Sequence, residues 1–215
     1  MITAFELAHG RVRLVPLAKV HVDALTTAAT GDRSTFGLAP IPRDRAEMDR
    51  YVDRALVEHA SFKSVPFAVE HEGVVIGSYR LMSLEWWAWP DGEIKIEGEP
   101  RVPGSNPPDV AEIGHAWITP GAQRTHVNST VCFLLMKHAF EEWKVHRLVL
   151  KTDARNDRSR NAITRLGGKL EGILRSHTPA ADGIIRDVAM FSILPTEWPA
   201  IKTRLESALG GRHDS

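Results

Sequence analysis

The stretch between Glu112 and Leu166 constrains the fold more than any other part of this 215-residue chain. It predicts four elements in order: a strand over 112–118, a helix over 128–143, a strand over 146–151 and a helix over 159–166. The first helix is apolar around much of its circumference, which indicates burial on two sides. Strand, helix, strand and helix in this order indicate a β-α-β-α unit with parallel strand pairing.

Hairpin and helix patterns flank this unit. Upstream they predict a strand over 11–15, a helix over 19–29, a helix capped by Asp44 with Glu47 in capping-box spacing, and strands over 65–70 and 74–82 joined at Glu72-Gly73. Downstream they predict strands over 169–175 and 186–194 around an Asp182-Gly183 turn. The order β-α-α-β-β-β-α-β-α-β-β indicates an α/β (α+β) fold, a mixed sheet with helices on both faces.

Composition excludes several classes of protein. Lys and Arg number 27, as do Asp and Glu, and this balance argues against a chain whose main work is binding nucleic acid. The longest apolar run, Val131 to Met136, is far below the roughly 20 residues that span a bilayer, and the start of the sequence does not resemble a signal peptide. The single cysteine, Cys132, excludes an internal disulfide. We expect a globular protein of the cytoplasm.

A polar, Gly- and Pro-rich stretch interrupts the pattern over 83–109 and contains Trp86, Trp87 and Trp89. Because the pattern resumes immediately afterwards, we interpret it as a surface excursion within one domain, with a core over about 10–205 and a tail over 206–215. The tryptophans could line a cleft for a cationic amine, lie at a homodimer interface or fold back onto the sheet. The last two interpretations are favoured.

The loop from Pro120 to Asn128 joins a strand directly to the buried helix. Unpaired N–H groups and the helix dipole favour an anion such as a pyrophosphate at such a junction, and Arg124 could add a charge-assisted contact. An ordinary polar loop capped by Asn128 explains the same residues equally well. The spacing matches neither a dinucleotide fingerprint nor a P-loop.

A set of motifs in fixed order carries a family resemblance. They are Ala111-Glu-Ile-Gly-His-Ala-Trp-Ile118, Gln123-Arg-Thr-His-Val-Asn128, Leu134 to Glu141, Arg147 to Asp153, Asn156 to Ile163 and Leu166 to Arg175. Together they resemble the acetyl-CoA core of the GCN5-related N-acetyltransferases (GNAT), in the RimJ/RimL-like branch of ribosomal-protein N-terminal acetyltransferases. The resemblance implies a mostly antiparallel mixed sheet with a central parallel β-α-β unit that forms the acetyl-CoA site.

The resemblance also implies site residues. Those expected to bind acetyl-CoA are His115, Ala116, Trp117, Ile118, Gln123, Arg124, Thr125, His126, Val127, Asn128, Asn156 and Ser159. Glu112 occupies the position of the catalytic base in a histone-acetylating relative, and a structural pair with an Arg is its alternative role. His115 would face the opposite side of a regular strand from Glu112, so a structural role is favoured over that of a base unless a bulge intervenes.

Two positions depart from the family pattern. His126 and Asn128 occupy positions that are usually small, so phosphate binding by the backbone requires His126 to point outward. Ile163 stands where many members have a Tyr that protonates the departing thiolate, and Ser159, one turn earlier, is the available hydroxyl. Asn156 could instead be a turn residue, and Ser159 the N-cap of its helix.

The resemblance therefore predicts an N-acetyltransferase that moves an acetyl group from acetyl-CoA to a primary amine, by direct attack with general-base assistance. The acceptor is expected to be a protein N-terminus or a small molecule, entering between the helices of 20–60, the excursion over 83–109 and the loop before the last strand. A lapsed CoA-binding regulatory module and a non-enzymatic peptide-binding protein are the alternatives. We expect no metal, because the ten histidines and one cysteine lack zinc-site spacing. No membrane or direct nucleic-acid partner is expected.

Overall fold

The computed structural model describes residues 3–88 and 106–210. Within them the strands are β1 (Leu7–His9), β2 (Val12–Pro16), β3 (Ser64–His71), β4 (Val74–Glu85), β5 (Val110–Ile118), β6 (Arg147–Asp153), β7 (Lys169–Pro179) and β8 (Ile185–Ile193). The α-helices are α1 (Val22–Thr30), α2 (Arg45–Ala60), α3 (Val127–Lys137), α4 (Asp157–Leu166) and α5 (Trp198–Gly210). A π-helical turn, His138–Glu142, continues α3.

The described strands form a single eight-stranded sheet in the order β1-β2-β3-β4-β5-β6-β8-β7. Every neighbouring pair is antiparallel except β5 and β6, which run parallel with Val110 opposite Arg147. The predicted mixed, mostly antiparallel sheet with a central parallel unit is therefore confirmed.

The sheet separates two apolar cores. On one face the buried side chains of α3 and α5, among them Leu135 and Leu205, pack in a single cluster with the sheet. On the other face Leu25 of α1 and Met48 of α2 belong to a second cluster. This division confirms that helices cover both faces, and it gives each face of β5 a different environment.

Local capping signals place the helices next to the site. Oδ1 of Asp44 accepts a hydrogen bond from the backbone N–H of Glu47 at 2.8 Å, which confirms the predicted cap of α2. At α4 the cap is Asn156, whose Oδ1 accepts from the N–H of Ser159 at 3.0 Å. The alternative in which Ser159 caps its own helix is therefore wrong. Gly167 ends α4 with a left-handed φ of 109°, where the absence of a Cβ avoids strain.

The predicted order of elements lacks the first strand and the last helix. β1 has three residues, too few to show an alternating pattern. The sequence predicted a tail that begins at residue 206, but α5 continues to Gly210, so residues 206–210 belong to a helix and that part of the prediction is wrong. The long helix predicted over 128–143 is α-helical only to Lys137, after which the backbone follows the π-helical turn.

The predicted excursion is shorter than 83–109, since β4 extends to Glu85 and β5 begins at Val110. Trp89 lies outside the described residues, as does the rest of 89–105. Nε1 of Trp86 donates to the carbonyl of Asn106 at 3.1 Å, and Trp87 stacks on His146 with ring centroids 5.4 Å apart. These two rings thus contact their own chain.

Among the described helices none is long and apolar enough to cross a membrane. The cytoplasmic location, the single-domain boundaries and a homodimer stay predictions.

Candidate functional site

The parallel strands β5 and β6 separate partway along their length. They pair from Val110 to Ile113, after which β5 continues to Ile118 without β6 as a partner. A cleft of about 510 Å³ lies here, with residues of β5 on one side and residues of α4 on the other. Separation of two strands leaves backbone N–H and C=O groups of the β5 edge available to an extended ligand.

A β-bulge in β5 lies next to the strand residues that line this cleft. Ser78 of β4 pairs with Trp117 but Arg80 pairs with Gly114, so β5 contains an extra residue, and His115 has a left-handed φ of 47°. The bulge turns Trp117 into the core of α1 and α2, whereas Ile113 packs in the core of α3 and α5. The sequence predicted that His115 would face the same side of the sheet as Glu112 only if β5 contained a bulge. The structure contains that bulge.

The loop before α3 presents backbone donors to the cleft. Arg124 has a left-handed φ of 62°, and Oγ1 of Thr125 donates to the carbonyl of Ala122 at 2.6 Å. The N-cap residue His126 makes no side-chain cap, and Oγ1 of Thr125 accepts from the N–H of Val127 at 3.2 Å. The next first-turn N–H groups, at Asn128 and Ser129, have no intrahelical acceptor. The proposed cap role of Asn128 is wrong, since its Oδ1 accepts from the Tyr79 hydroxyl at 2.5 Å.

Positive charge surrounds these donors. Arg124, Arg158 and Arg165 line the cleft, and no carboxylate is among its described lining residues. Nη2 of Arg158 donates to Oε1 of Gln123, which links α4 to the loop before α3. Arginines and a helix N-terminus together match the charge of a polyphosphate.

Two further groups on the cleft can hydrogen-bond to an extended ligand. Nε1 of Trp117 is buried without a hydrogen-bond partner among the described residues, so it is a donor in need of an acceptor. Asn156 uses only Oδ1 for the cap, which leaves its amide NH₂ available. Ser159 lines the same cleft. Ile163, at the usual Tyr position, is an apolar core residue that is only 6% exposed.

Glu112 lies in the sheet and is not among the residues that line the cleft. Ala111 and Ile113 face the core of α3 and α5, so Glu112 faces the α1 and α2 side. Oε2 of Glu112 accepts from Oγ of Ser83 at 3.0 Å and lies 2.9 Å from Nζ of Lys151. Both contacts use the same oxygen, and Oε1 has no hydrogen-bond partner within the described part of the chain. The cationic partner is a Lys and not the expected Arg.

A second cavity, of about 760 Å³, adjoins the cleft because Phe36, Ala39 and Ile41 line both. Its lining includes residues of the loop before α2, of α2 itself and of the β7–β8 turn at Ala181. We call it the arginine cavity, because Arg33, Arg43, Arg50, Arg54 and Arg80 line it.

His115 lines the arginine cavity and not the cleft, with its ring 6.0 Å from that of Tyr51. Partial burial at the cavity wall, together with the charges of Arg80 and Arg54, lowers the pKa of His115 from 6.5 to about 4. The imidazole is therefore neutral at pH 7 and can accept a hydrogen bond.

The structure brings most of the expected cofactor residues to one place. Those that line the cleft are Ala116, Trp117, Ile118, Gln123, Arg124, Thr125, Asn128, Asn156 and Ser159. His126 lines a smaller cavity of about 180 Å³ beside Arg204, which adjoins the cleft because Asn128, Ser129, Ala162 and Arg165 line both. Val127 is buried in the core. Sequence reasoning missed Tyr79, Ser129, Arg158, Asn161, Ala162 and Arg165. Arg158, Asn161, Ala162 and Arg165 recur at the spacing of one helix face, which could have placed them beside Ser159 in the sequence analysis. No local sequence pattern indicated Tyr79.

Comparison with known proteins supports this geometry. The family profile described as Acetyltransferase (GNAT) domain matches residues 11–169. The crystal structure of a GCN5-related N-acetyltransferase from Brucella melitensis is 28% identical and has a TM-score of 0.78, over 96% of this chain and 86% of that chain.

Two further comparisons give a likeness of fold and a partial likeness of sequence. Mycobacterium smegmatis RimJ, solved with CoA-disulfide, is 18% identical with a TM-score of 0.73, over 96% of this chain and 94% of that chain, and shows likeness of fold alone. YdaF of Bacillus subtilis, provisionally named a ribosomal N-acetyltransferase, is 30% identical over 92 residues. That match covers 43% of this chain and 49% of YdaF, about half of its length.

Proposed function

This chain belongs to the GNAT acetyltransferase family, and on that premise we propose that it transfers an acetyl group from acetyl-CoA to a primary amine. The observation that carries the proposal is the separation of β5 from β6 after Ile113, beside the N-terminus of α3. The resulting cleft adjoins the arginine cavity, because Phe36, Ala39 and Ile41 line both. A donor and an acceptor can therefore meet where the two spaces join.

The cleft residues fit acetyl-CoA by charge and by hydrogen-bonding capacity. The N–H groups of Asn128 and Ser129 and the guanidinium of Arg124 would hold the pyrophosphate. The free edge of β5 and the amide of Asn156 would hold the pantetheine arm. Acetyl-CoA, as a substrate, supplies the activated acetyl thioester.

Glu112 is the general base in this proposal. Lys151 and Ser83 fix its Oε2, so the partnerless Oε1 can accept the amine proton through a water. His115 is neutral and lines the acceptor side, where it can orient the amine. The positive charges of the arginine cavity also lower the pKa of an ammonium group held there, which favours the nucleophilic neutral amine.

Ser159 is the proposed acid for the leaving thiolate. It lines the cleft one helical turn before Ile163, whose side chain is buried and carries no proton to donate. Its hydroxyl is not occupied by helix capping, because Asn156 performs that role.

For the acceptor, we propose a protein or peptide N-terminus. The resemblance to the RimJ/RimL-like branch supports this class, as does the partial match to YdaF. A small-molecule amine is the alternative that the arginine cavity also accommodates by size.

Two measurements test the proposed function. Calorimetric titration with acetyl-CoA should give a single saturable site, and release of free thiol should then depend on an added amine. Peptide N-termini and small amines would be compared in the same assay, with acetylated products identified by mass spectrometry. Absence of acetyl-CoA binding would contradict the cleft assignment. Binding without turnover for every amine would indicate a lapsed CoA-binding module.

A further inference from the structure

The arginine cavity carries more positive charge than a pocket for an amine requires. Five arginines line it, and Glu47 is the one carboxylate among its described lining residues. Glu47 is already engaged, since its Oε2 accepts from the backbone N–H of Arg43 at 2.8 Å. A substrate amine without other charged groups would approach against this field as an ammonium ion. The positively charged lining therefore indicates that the cavity recognises a group of the ligand other than its amine.

Two of these guanidinium groups are held in place from the protein side. Arg80 is buried, with Nη1 2.7 Å from Oε2 of Glu58 and its guanidinium carbon 4.7 Å from the centre of the Tyr51 ring. Its Nε is buried and has no hydrogen-bond partner within the described chain. Arg33 donates to the carbonyls of Ala29 and Pro42, both at 2.8 Å. These contacts hold the two guanidinium groups at fixed positions on the cavity wall.

The other three guanidinium groups differ from the arginines of the described chain that form salt bridges, such as Arg45 and Arg11. Arg43, Arg50 and Arg54 make no salt bridge to any described carboxylate. Arg45, two residues from Arg43, lies with Nε 2.6 Å from Oδ1 of Asp23, and Arg11 pairs with Glu72. The wall of the arginine cavity thus carries positive charge that no described carboxylate neutralises, as does the adjoining cleft with Arg124, Arg158 and Arg165.

From this arrangement we infer that the amine acceptor is an anionic molecule, with carboxylate or phosphate groups that the arginine cavity binds while the amine faces the cleft. The inference rests on the proposed acetyltransferase function and names its substrate class. Planar guanidinium groups bind either kind of oxyanion in a bidentate manner. Acidic peptide segments and small phosphorylated amines share this chemistry.

Matched acceptor pairs test the inference. A peptide with acidic residues after its N-terminal Ser is compared with the same peptide carrying Gln and Asn, and O-phosphoethanolamine is compared with ethanolamine. We expect kcat/KM for the anionic member of at least one pair to be about tenfold higher or more, as loss of a charge-assisted hydrogen bond would give. The pair that shows this preference identifies the source of the anion. High salt should reduce the preference.

The variant R50Q/R54Q should abolish most of that preference, because it removes two exposed charges of the cavity wall. R11Q/R13Q removes the same number of positive charges outside both cavities and should leave the preference intact. Calorimetric binding of the acidic peptide to the CoA-saturated protein gives a readout that does not need turnover. Acetyl-CoA affinity should be the same in all these proteins.

The outcomes separate the two proposals. The inference would be overturned if neutral amines were acetylated as efficiently as their anionic counterparts, or if the preference for the anionic member persisted in R50Q/R54Q. Either result would leave the proposed acetyltransferase function standing. No turnover with any amine would contradict the proposed function. In that case peptide binding that R50Q/R54Q removes would still support an anion site, and no peptide binding would end the inference too.

Discussion

Nζ of Lys151 lies 2.9 Å from Oε2 of Glu112, which joins β6 to β5 close to the point where the two strands separate. The pair anchors one carboxylate oxygen while the other stays free for a water. The ion pair therefore holds the proposed base, Glu112, close to the point where β5 and β6 separate to form the cleft.

Substitution E112Q should lower kcat about 10²- to 10⁴-fold at neutral pH, because the amide retains the shape of the side chain but not its basicity. Activity should recover at higher pH, since the acceptor amine then loses its proton unaided. The pH profile of kcat, measured beside acetyl-CoA affinity, checks this result.

K151Q is the matched control, because it breaks the same ion pair and keeps the carboxylate. We expect it to retain most of the activity that E112Q loses. Equal losses in both variants, without recovery at high pH, would assign Glu112 a structural role only.

Substitution R124A should raise the acetyl-CoA dissociation constant about tenfold, as expected for loss of one charge-assisted hydrogen bond. R124K keeps the positive charge and should retain much of the affinity. Calorimetric titration of both variants makes the comparison. An unchanged constant in R124A would show that Arg124 does not contact the pyrophosphate.

Asn156 has two separable roles, cap of α4 and proposed ligand of the pantetheine arm. N156A should lower the stability by about 1 kcal/mol through loss of the cap, a fall in Tm of roughly 2–4 °C, and should also weaken acetyl-CoA binding. N156S retains a good capping residue, so it should keep the wild-type Tm and show only the weaker binding. Thermal melts and calorimetry separate these effects. Normal affinity in N156S would restrict Asn156 to capping.

S159A should leave Tm unchanged, because Asn156 and not Ser159 provides the capping oxygen. If Ser159 protonates the thiolate, kcat should fall by about 10²-fold or more while acetyl-CoA affinity is retained. Steady-state thiol release and a thermal melt test both statements. A variant with wild-type kcat would remove Ser159 from the mechanism.

His138 should make the protein less stable in weak acid. Its ring stacks on Phe5 with centroids 3.8 Å apart, and burial lowers its pKa from 6.5 to about 4. Between these values the unfolded chain binds a proton that the folded chain does not, so stability falls as pH decreases from about 6.5 to 4. H138F keeps the stacked ring and removes the titration.

The measurement is the free energy of unfolding by urea at several pH values. The curve for H138F should be flatter than that of the wild type below pH 6.5 and parallel to it above. Parallel curves over the whole range would show that the imidazole is protonated freely in the folded protein.

The amino-acid sequence by itself determined the elements with strong local signals. Capping by Asp44, the Glu72-Gly73 turn and the strand–helix–strand order after Glu112 each depend on residues that are neighbours along the chain. The family resemblance located most cleft residues for the same reason, because the loop before α3 and the start of α4 are contiguous segments. α5 was missed although Trp198, Ile201, Leu205 and Leu209 recur at helical spacing with Pro199 in the first turn.

Only the tertiary structure decided which groups meet across the sheet. Pairing of Glu112 with Lys151 and the Tyr79 hydrogen bond to Asn128 depend on strand register, which no single segment encodes. The bulge at His115 moved its imidazole to the arginine cavity, a change of face that one extra residue produces. The arginine cavity is lined by residues of α2, β4 and the β7–β8 turn, which are far apart in the sequence. Its local positive charge could therefore not be predicted from a sequence whose net charge is zero. Packing of separate elements, and not local propensity, sets such juxtapositions.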